Sequence, residues 1–203
     1  MLTVSTGSIS GHESAEASAG FSLIELMIVL SVLSILFAVG MPAFGRLLHD
    51  IEIRGSAEGL RAGLQKARTE AVTRNALVRI SFTNVSGRPA WTVGCVRSSL
   101  RCPATISSFG ANRDTQIRWG AARSDDQIAL SMALTPGHRL PSGVTFNALG
   151  TAPGVETNTD ASRIDVTHAI NEKARRLVLM ITAAGAIRLC DPSADSGSVL
   201  RCS

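Results

Sequence analysis

Gly20-Phe21-Ser22-Leu23-Ile24-Glu25 opens a run, LMIVLSVLSILFAVGMPAFG at positions 26–45, that holds no charged residue. Twenty residues in a helix reach about 30 Å, the thickness of a bilayer's hydrocarbon core. The run is apolar on every side, so it does not read as an amphipathic core helix. It does not read as an ordinary secretory signal either. That needs a basic start, a shorter apolar stretch of about 7–15 residues and a small-residue cleavage site. Here the first twenty residues, MLTVSTGSISGHESAEASAG, are small and polar, and the apolar run comes after them.

The one acid at the edge of the run is Glu25. A carboxylate at the centre of a membrane helix costs about 2.5–3.5 kcal/mol to insert, less near an end, and normally has a partner. Cleavage after Gly20 supplies one. It leaves Phe21 with a free amine and makes Glu25 the fifth residue of the new chain. An amine on one subunit and a carboxylate on its neighbour then neutralise each other in an apolar core.

The sequence from Gly20 to Glu25, followed by the apolar run, resembles the class III signal of type IV pilins and type II secretion pseudopilins. The resemblance implies that a prepilin peptidase cuts after Gly20 and methylates Phe21. It gives Glu25 a role in aligning subunits during assembly. Pro42, the twenty-second residue after the cut, stands where many family members carry a proline, and a helix kink is expected there. Residues 1–20 hold Glu13 and Glu16 but no Lys or Arg, unlike the short basic leaders usual in the family. Two readings of this departure stand open: a misassigned start codon, or a genuinely long leader, in which case the orienting determinant falls to Arg46 or to assembly partners.

The organisation expected is a leader at 1–20, a transmembrane and filament-core helix at 21–45, and a periplasmic head at 46–203. The head divides into an amphipathic helix at 46–75 and a β-sheet at 76–203. Ile53, Ala57, Leu60, Leu64, Ala67 and Ala71 recur at steps of three and four, which is one helix face. Arg54 with Glu58, Lys66 with Glu70 and Glu70 with Arg74 sit at i,i+4 on the solvated side. Gly55, Gly59 and Gly63 recur every four residues, which fits either a close approach to another element or merely a weaker helix.

Beyond Asn75 the pattern becomes short strands with turn punctuation. Strands are expected at 77–83, 91–96, 116–119, 139–146, 162–167, 176–182 and 186–190. Ser86-Gly87-Arg88-Pro89 reads as a hairpin turn, Ala183-Ala184-Gly185 as a tight turn, and 147–161 as loop. The fold class is α+β, a long N-terminal helix packed on one meandering antiparallel sheet. The helix around Leu64-Gln65-Lys66-Ala67-Arg68 and the pair of strands from Arg176 to Cys190 resemble the GspH/FimT minor pilin family.

Composition fits a folded chain: 45% hydrophobic, 18% charged, net charge +4. All four cysteines, Cys95, Cys102, Cys190 and Cys202, follow the apolar run. In an oxidising compartment an even number suggests disulfides. Three pairings exist, and local closure as Cys95–Cys102 and Cys190–Cys202 suits a hairpin and a C-terminal loop. Neither spacing is C-x-x-C and no His stands at zinc spacing, so no metal is expected. Nucleophile-elbow, S-x-x-K, zincin and P-loop motifs are all absent from the sequence, so neither an enzyme nor a cofactor is expected. His138 and His168 read as isolated.

The main reading is therefore a minor pilin or pseudopilin, a structural subunit of a type II secretion pseudopilus or type IV pilus. It acts in filament initiation or tip assembly and protein secretion. The implied location is the bacterial inner membrane, single-pass with a periplasmic head, before incorporation into the filament. The implied partners are other pilin or pseudopilin subunits, the prepilin peptidase, the inner-membrane assembly platform and the membrane itself. The alternative is a DNA-binding minor pilin for natural transformation. Losing residues 1–20 raises the net charge by two, and Arg175, Arg176, Arg188 and Arg201 are the residues that would contact phosphates. One branch of the family presents a G-R-x-R-like turn before its last strand. Here that turn reads Gly185-Ala186-Ile187-Arg188 and lacks the first arginine.

Overall fold

The computed structural model describes residues 22–85, 88–110, 115–170 and 174–202, apart from the side chains of residues 39–43 and 46. The chain divides into two compact units, Met1–Ala43 and Phe44–Ser203. The helix α1, Leu23–Arg74, contributes residues to each.

In the first unit, every large apolar side chain from position 23 to position 37 is between 41% and 79% exposed. Ser31 donates its hydroxyl to the Met27 carbonyl at 2.6 Å, and Ser34 donates to Leu30 at 2.7 Å. These hydroxyls are thus satisfied within the helix itself. Among the described residues, no helix is long and apolar enough to cross a membrane. The expected span at 26–45 includes positions 39–43, whose side chains lie outside the described set, as does the kink expected at Pro42.

In the second unit, α1 buries the face its spacing predicts. Ile53, Ala57, Leu60, Leu64, Ala67 and Ala71 are all 0–1% exposed. On the solvated side, Arg54 reaches Glu58 at 3.0 Å and Arg74 reaches Glu70 at 2.6 Å. The three glycines separate by environment. A Cβ on Gly55 or Gly59 would meet nothing within 4 Å. One on Gly63 would stand 2.9 Å from the Trp91 ring and 3.2 Å from Ile80. Only Gly63 marks a close approach.

Among the described residues eight strands follow: β1 (Val78–Val85), β2 (Arg88–Cys95), β3 (Ser107–Gly110), β4 (Ile117–Ala122), β5 (Ser142–Phe146), β6 (Arg163–His168), β7 (Leu177–Ile181) and β8 (Ile187–Cys190). They form two four-stranded sheets, ordered β3-β2-β1-β5 and β4-β6-β7-β8, with every pairing antiparallel. The single meander expected from the sequence is therefore corrected to two sheets. The chain leaves the first sheet between β3 and β4, returns to it at β5 beside β1, and leaves it again at β6, and alternation along a strand does not name its distant partner. Both sheets share one core with α1, including Ile80, Phe82, Phe146, Trp119, Ile164 and Leu179.

Local departures have local causes. Arg88 and Pro89 belong to β2, not to a turn, with Pro89 opposite Asn84; Ser86 and Gly87 lie outside the described residues. Residues 139–141 do not join β5. Arg139 adopts φ 46° and pairs with Asp126, so the chain turns there and β5 begins at Ser142. Strand β3 was not expected, being the short polar segment SSFG. The turn at 183–185 does join β7 to β8. Its Gly185 sits at φ 79°, and a Cβ there would overlap the Gly150 carbonyl, which also accepts from Arg68 Nε at 3.0 Å.

Candidate functional site

Glu25 lies in the first turn of α1 and is exposed, among exposed Leu23, Ile24 and Leu26. Acidic groups at a helix N-terminus are stabilised by the unpaired amides and the helix dipole, so the position suits a carboxylate. Gly20 and Phe21, the expected cleavage and methylation positions, lie outside the described residues.

The exposed apolar character of α1 does not stop at position 38. Phe44, Leu47, Leu48 and Ile51 in the second unit are 62%, 54%, 49% and 57% exposed. Their spacing of three, one and three places them on one helix face. At 100° per residue, that face is opposite the one holding Ile53, Ala57, Leu60 and Leu64. Gly55 and Gly59 continue outward from it into open space. The uncovered apolar stretch ends at Ile51, and beyond it the exposed Arg54–Glu58 pair begins the charged side of the head helix.

The four arginines considered for phosphate contact do not form one free patch. Arg175 Nε pairs with Asp191, whose side chain is 2% exposed. Arg176 turns to a different carboxylate, Asp165, at 2.6 Å, and also donates to the Leu130 and Met132 carbonyls. Arg188, on β8, and Arg201, in the C-terminal loop, are both exposed. Burial by itself pushes the Asp191 carboxyl up. Hydrogen bonds from the Ser193 hydroxyl and amide and from Arg175 outweigh it and hold the group below the ordinary carboxylate range.

Sequence reasoning missed what Arg176 is for. Arg163 and Asp165, both buried, pair at 2.7 Å; Arg163 also donates to the Ile128, Ala129 and Met132 carbonyls. Asp165 further accepts from the Leu134 amide at 3.0 Å. Two guanidiniums and one carboxylate thus clamp the loop 128–134 onto β6 and β7. The signal was present: residues two apart in a strand share a face, so Arg163 and Asp165 had to meet. A second buried carboxylate, Asp160, holds Arg79 at 2.7 Å and the Thr145 amide at 2.7 Å.

His168 is not isolated. Its ring lies 4.3 Å from that of His49 on α1, and its Nε2 stands 3.8 Å from Glu52. The Ile170 amide donates to His168 Nδ1 at 3.3 Å. Burial, aided by His49 and Arg118 and opposed by Glu52, holds the His168 pKa below 6.5. No group of three or more His, Cys, Asp or Glu among the described residues is arranged to hold a metal ion.

The cysteines are joined as Cys95–Cys102 and Cys190–Cys202. The first bond closes the connection after β2, and the second ties β8 to the C-terminal segment.

Comparison with known proteins places these features. A family described as Type II transport protein GspH matches residues 56–185, and the prokaryotic N-terminal methylation motif matches residues 17–41. Pilin-like protein PilA1 of Thermus thermophilus is 28% identical over 109 residues, 53% of this chain and 67% of its own length. Among solved structures, the type IV minor pilin FimU of Pseudomonas aeruginosa is 21% identical, with a TM-score of 0.48 over 72% of this chain and 94% of FimU. The minor pseudopilin EpsH of the Vibrio cholerae Type 2 Secretion System is 13% identical, with a TM-score of 0.45 over 71% of this chain and 99% of EpsH. With the family matched over more than half its length, the chain belongs to the GspH family of minor pilins and pseudopilins, whose members are structural subunits and not enzymes.

Proposed function

We propose that this chain is a minor subunit of a type II secretion pseudopilus or a type IV pilus, acting in filament initiation or tip assembly. The observation that carries the reading is the exposed apolar half of α1 with a single carboxylate, Glu25, in its first turn, lying within the matched methylation motif. Before assembly the apolar segment holds the chain in the inner membrane, with the head on the periplasmic side. Two disulfides suit that oxidising compartment. The prepilin peptidase cuts after Gly20 and methylates Phe21, and the assembly platform receives the mature chain. Glu25 then meets the Phe21 amine of a neighbouring subunit. Each charge loses its penalty in the apolar core only when both are present, so the pair favours the correct axial register. The face formed by Phe44, Leu47, Leu48 and Ile51 extends the same contact to the start of the head.

DNA uptake is the weaker reading. It counted on four arginines, and two of them, Arg175 and Arg176, are engaged by buried carboxylates. Each lost phosphate contact removes about one unit of salt slope and the affinity that goes with it.

Processing is the experiment. N-terminal sequencing of the chain co-expressed with a prepilin peptidase is expected to begin at Phe21, methylated. A mature chain beginning beyond residue 40 would mean an ordinary signal peptide and would end the filament reading.

A further inference from the structure

The loop VRSSLR, residues 96–101, is exposed at every position, and Leu100 at its tip is 107% exposed. A lone exposed leucine needs no explanation. Here the surrounding structure is built to hold it still. The Cys95–Cys102 bond closes the loop. The Ser99 amide donates to the Cys102 carbonyl at 2.8 Å and the Cys102 amide returns to Ser99 at 3.1 Å, leaving Leu100 and Arg101 as a two-residue tip. The Cys95 amide donates to Pro103 at 3.1 Å, and a Cβ on Gly94 would overlap the Ala104 carbonyl, so the base is packed backbone on backbone. Arg74 Nη1 donates to the Arg101 carbonyl and ties the tip to the last turn of α1.

The chemistry around the tip is consistent. The Val96 amide donates to the Leu77 carbonyl at 2.9 Å, extending the β1–β2 ladder by one residue and setting two half-exposed apolar side chains side by side. Arg97 and Arg101 are exposed on either side of Leu100 in sequence. The acid on the nearby last turn of α1, Glu70, is taken by Arg74.

We propose that this loop is a docking knob for another subunit of the same filament, one that offers an apolar pocket rimmed with carboxylates. The proposal rests on the filament reading above. Leu100, with Val96 and Leu77, fills the pocket, and Arg97 and Arg101 meet the acids at its edge. Holding the tip rigid in the free chain removes ordering entropy from the binding step, which is what a stapled loop supplies to an interface. Arginine is one of the residue types enriched at interface hot spots, and Arg97 and Arg101 are exposed beside the apolar tip. A bilayer is a poorer occupant, since even one full acyl chain gives only marginal membrane binding. Two arginines without aromatic neighbours are a thin footprint for nucleic acid.

The test uses the full chain in cells that assemble the filament. A photo-crosslinking phenylalanine is placed at position 100, with position 149, also highly exposed, as the control. Leu100→Ser and the double variant Arg97→Glu/Arg101→Glu are scored for incorporation into isolated filaments, with thermal melting as a check on folding. The expected result is a crosslink from position 100, absent from position 149, to an Asp- or Glu-bearing peptide of another filament subunit. Both variants melt like wild type and lose incorporation about tenfold. Normal incorporation of both variants, or crosslinks only to lipid or DNA, overturns the knob while leaving the filament reading intact. A wild-type chain that never enters filaments overturns both.

Discussion

The two halves of α1 share one backbone conformation and differ in what surrounds them. From position 23 to position 37 the large apolar side chains point into solvent. From Ile53 to Ala71 the apolar side chains on one face are completely buried, and arginine, lysine and glutamate occupy the other. In the upper half, Ile53 to Ala71, the apolar pattern repeats every three to four residues, so a single sheet-covered face satisfies it; positions 23–37 make up the lower half. In the lower half it is continuous, so no single neighbour within the chain can cover it. A helix that is apolar all round needs either lipid or several other helices. One half of α1 is completed by its own head; the other is left uncovered by its own chain, as the proposed filament packing requires.

The largest effect expected separates the halves by stability. Leu64→Ala opens a cavity in the core and is expected to destabilise the head by about 2–5 kcal/mol. Leu30→Ala removes the same group from an exposed position, and head unfolding should change by less than about 0.5 kcal/mol. Thermal melting of the full chain in detergent reads both. A head equally sensitive to both substitutions would break the distinction.

A finer version lies within the upper half. Gly63→Ala pushes a methyl against the Trp91 ring and Ile80, with an expected loss of about 1–3 kcal/mol. Gly59→Ala meets open space and should instead stabilise the helix, by up to about 1 kcal/mol. Opposite signs for two glycines one turn apart would fix which side of the helix the head occupies. Equal signs would contradict the packing.

The smallest effect concerns the polar contacts where α1 enters the head. The folded His168 pKa lies below 6.5, so the unfolded chain binds more protons just below that value. Stability from this site is complete above pH 6.5 and falls as the pH drops towards the lowered folded pKa, by at most about 1.4 kcal/mol per pH unit. Melting temperatures measured across this range should fall with acidification in wild type, and His168→Gln should flatten that slope. An unchanged slope would mean that the titration lies elsewhere.

These contrasts also show what the sequence could reveal. The core face of α1 was legible because helical spacing is local. All six residues named for it, Ile53 to Ala71, are buried. Seven of the eight strands were legible for the same reason, and β3 was not, because SSFG has no alternation to read. The two-sheet arrangement was hidden, since β1 pairs with β5 residues 60 to 68 positions away and nothing in either strand names the other. Arg175 and Arg176 looked like a basic patch because adjacent cations suggest one. They face different carboxylates because neighbours in an extended chain point to opposite sides. The Arg163–Asp165 pair was readable from its spacing alone, but its Arg176 partner was not. Glu25 stood out in the sequence because a charge beside an apolar run is conspicuous without any structure.

The central claim is that the lower half of α1 is completed by other subunits, with Glu25 in the pairing. Glu25→Val tests it most directly, with the variant's amount in isolated filaments measured against its amount in the inner membrane. Removing a charge from the apolar segment leaves insertion unchanged or improved. The account predicts normal membrane levels, normal cleavage before Phe21 and little or no subunit in filaments. A variant that enters filaments at the wild-type level would contradict it.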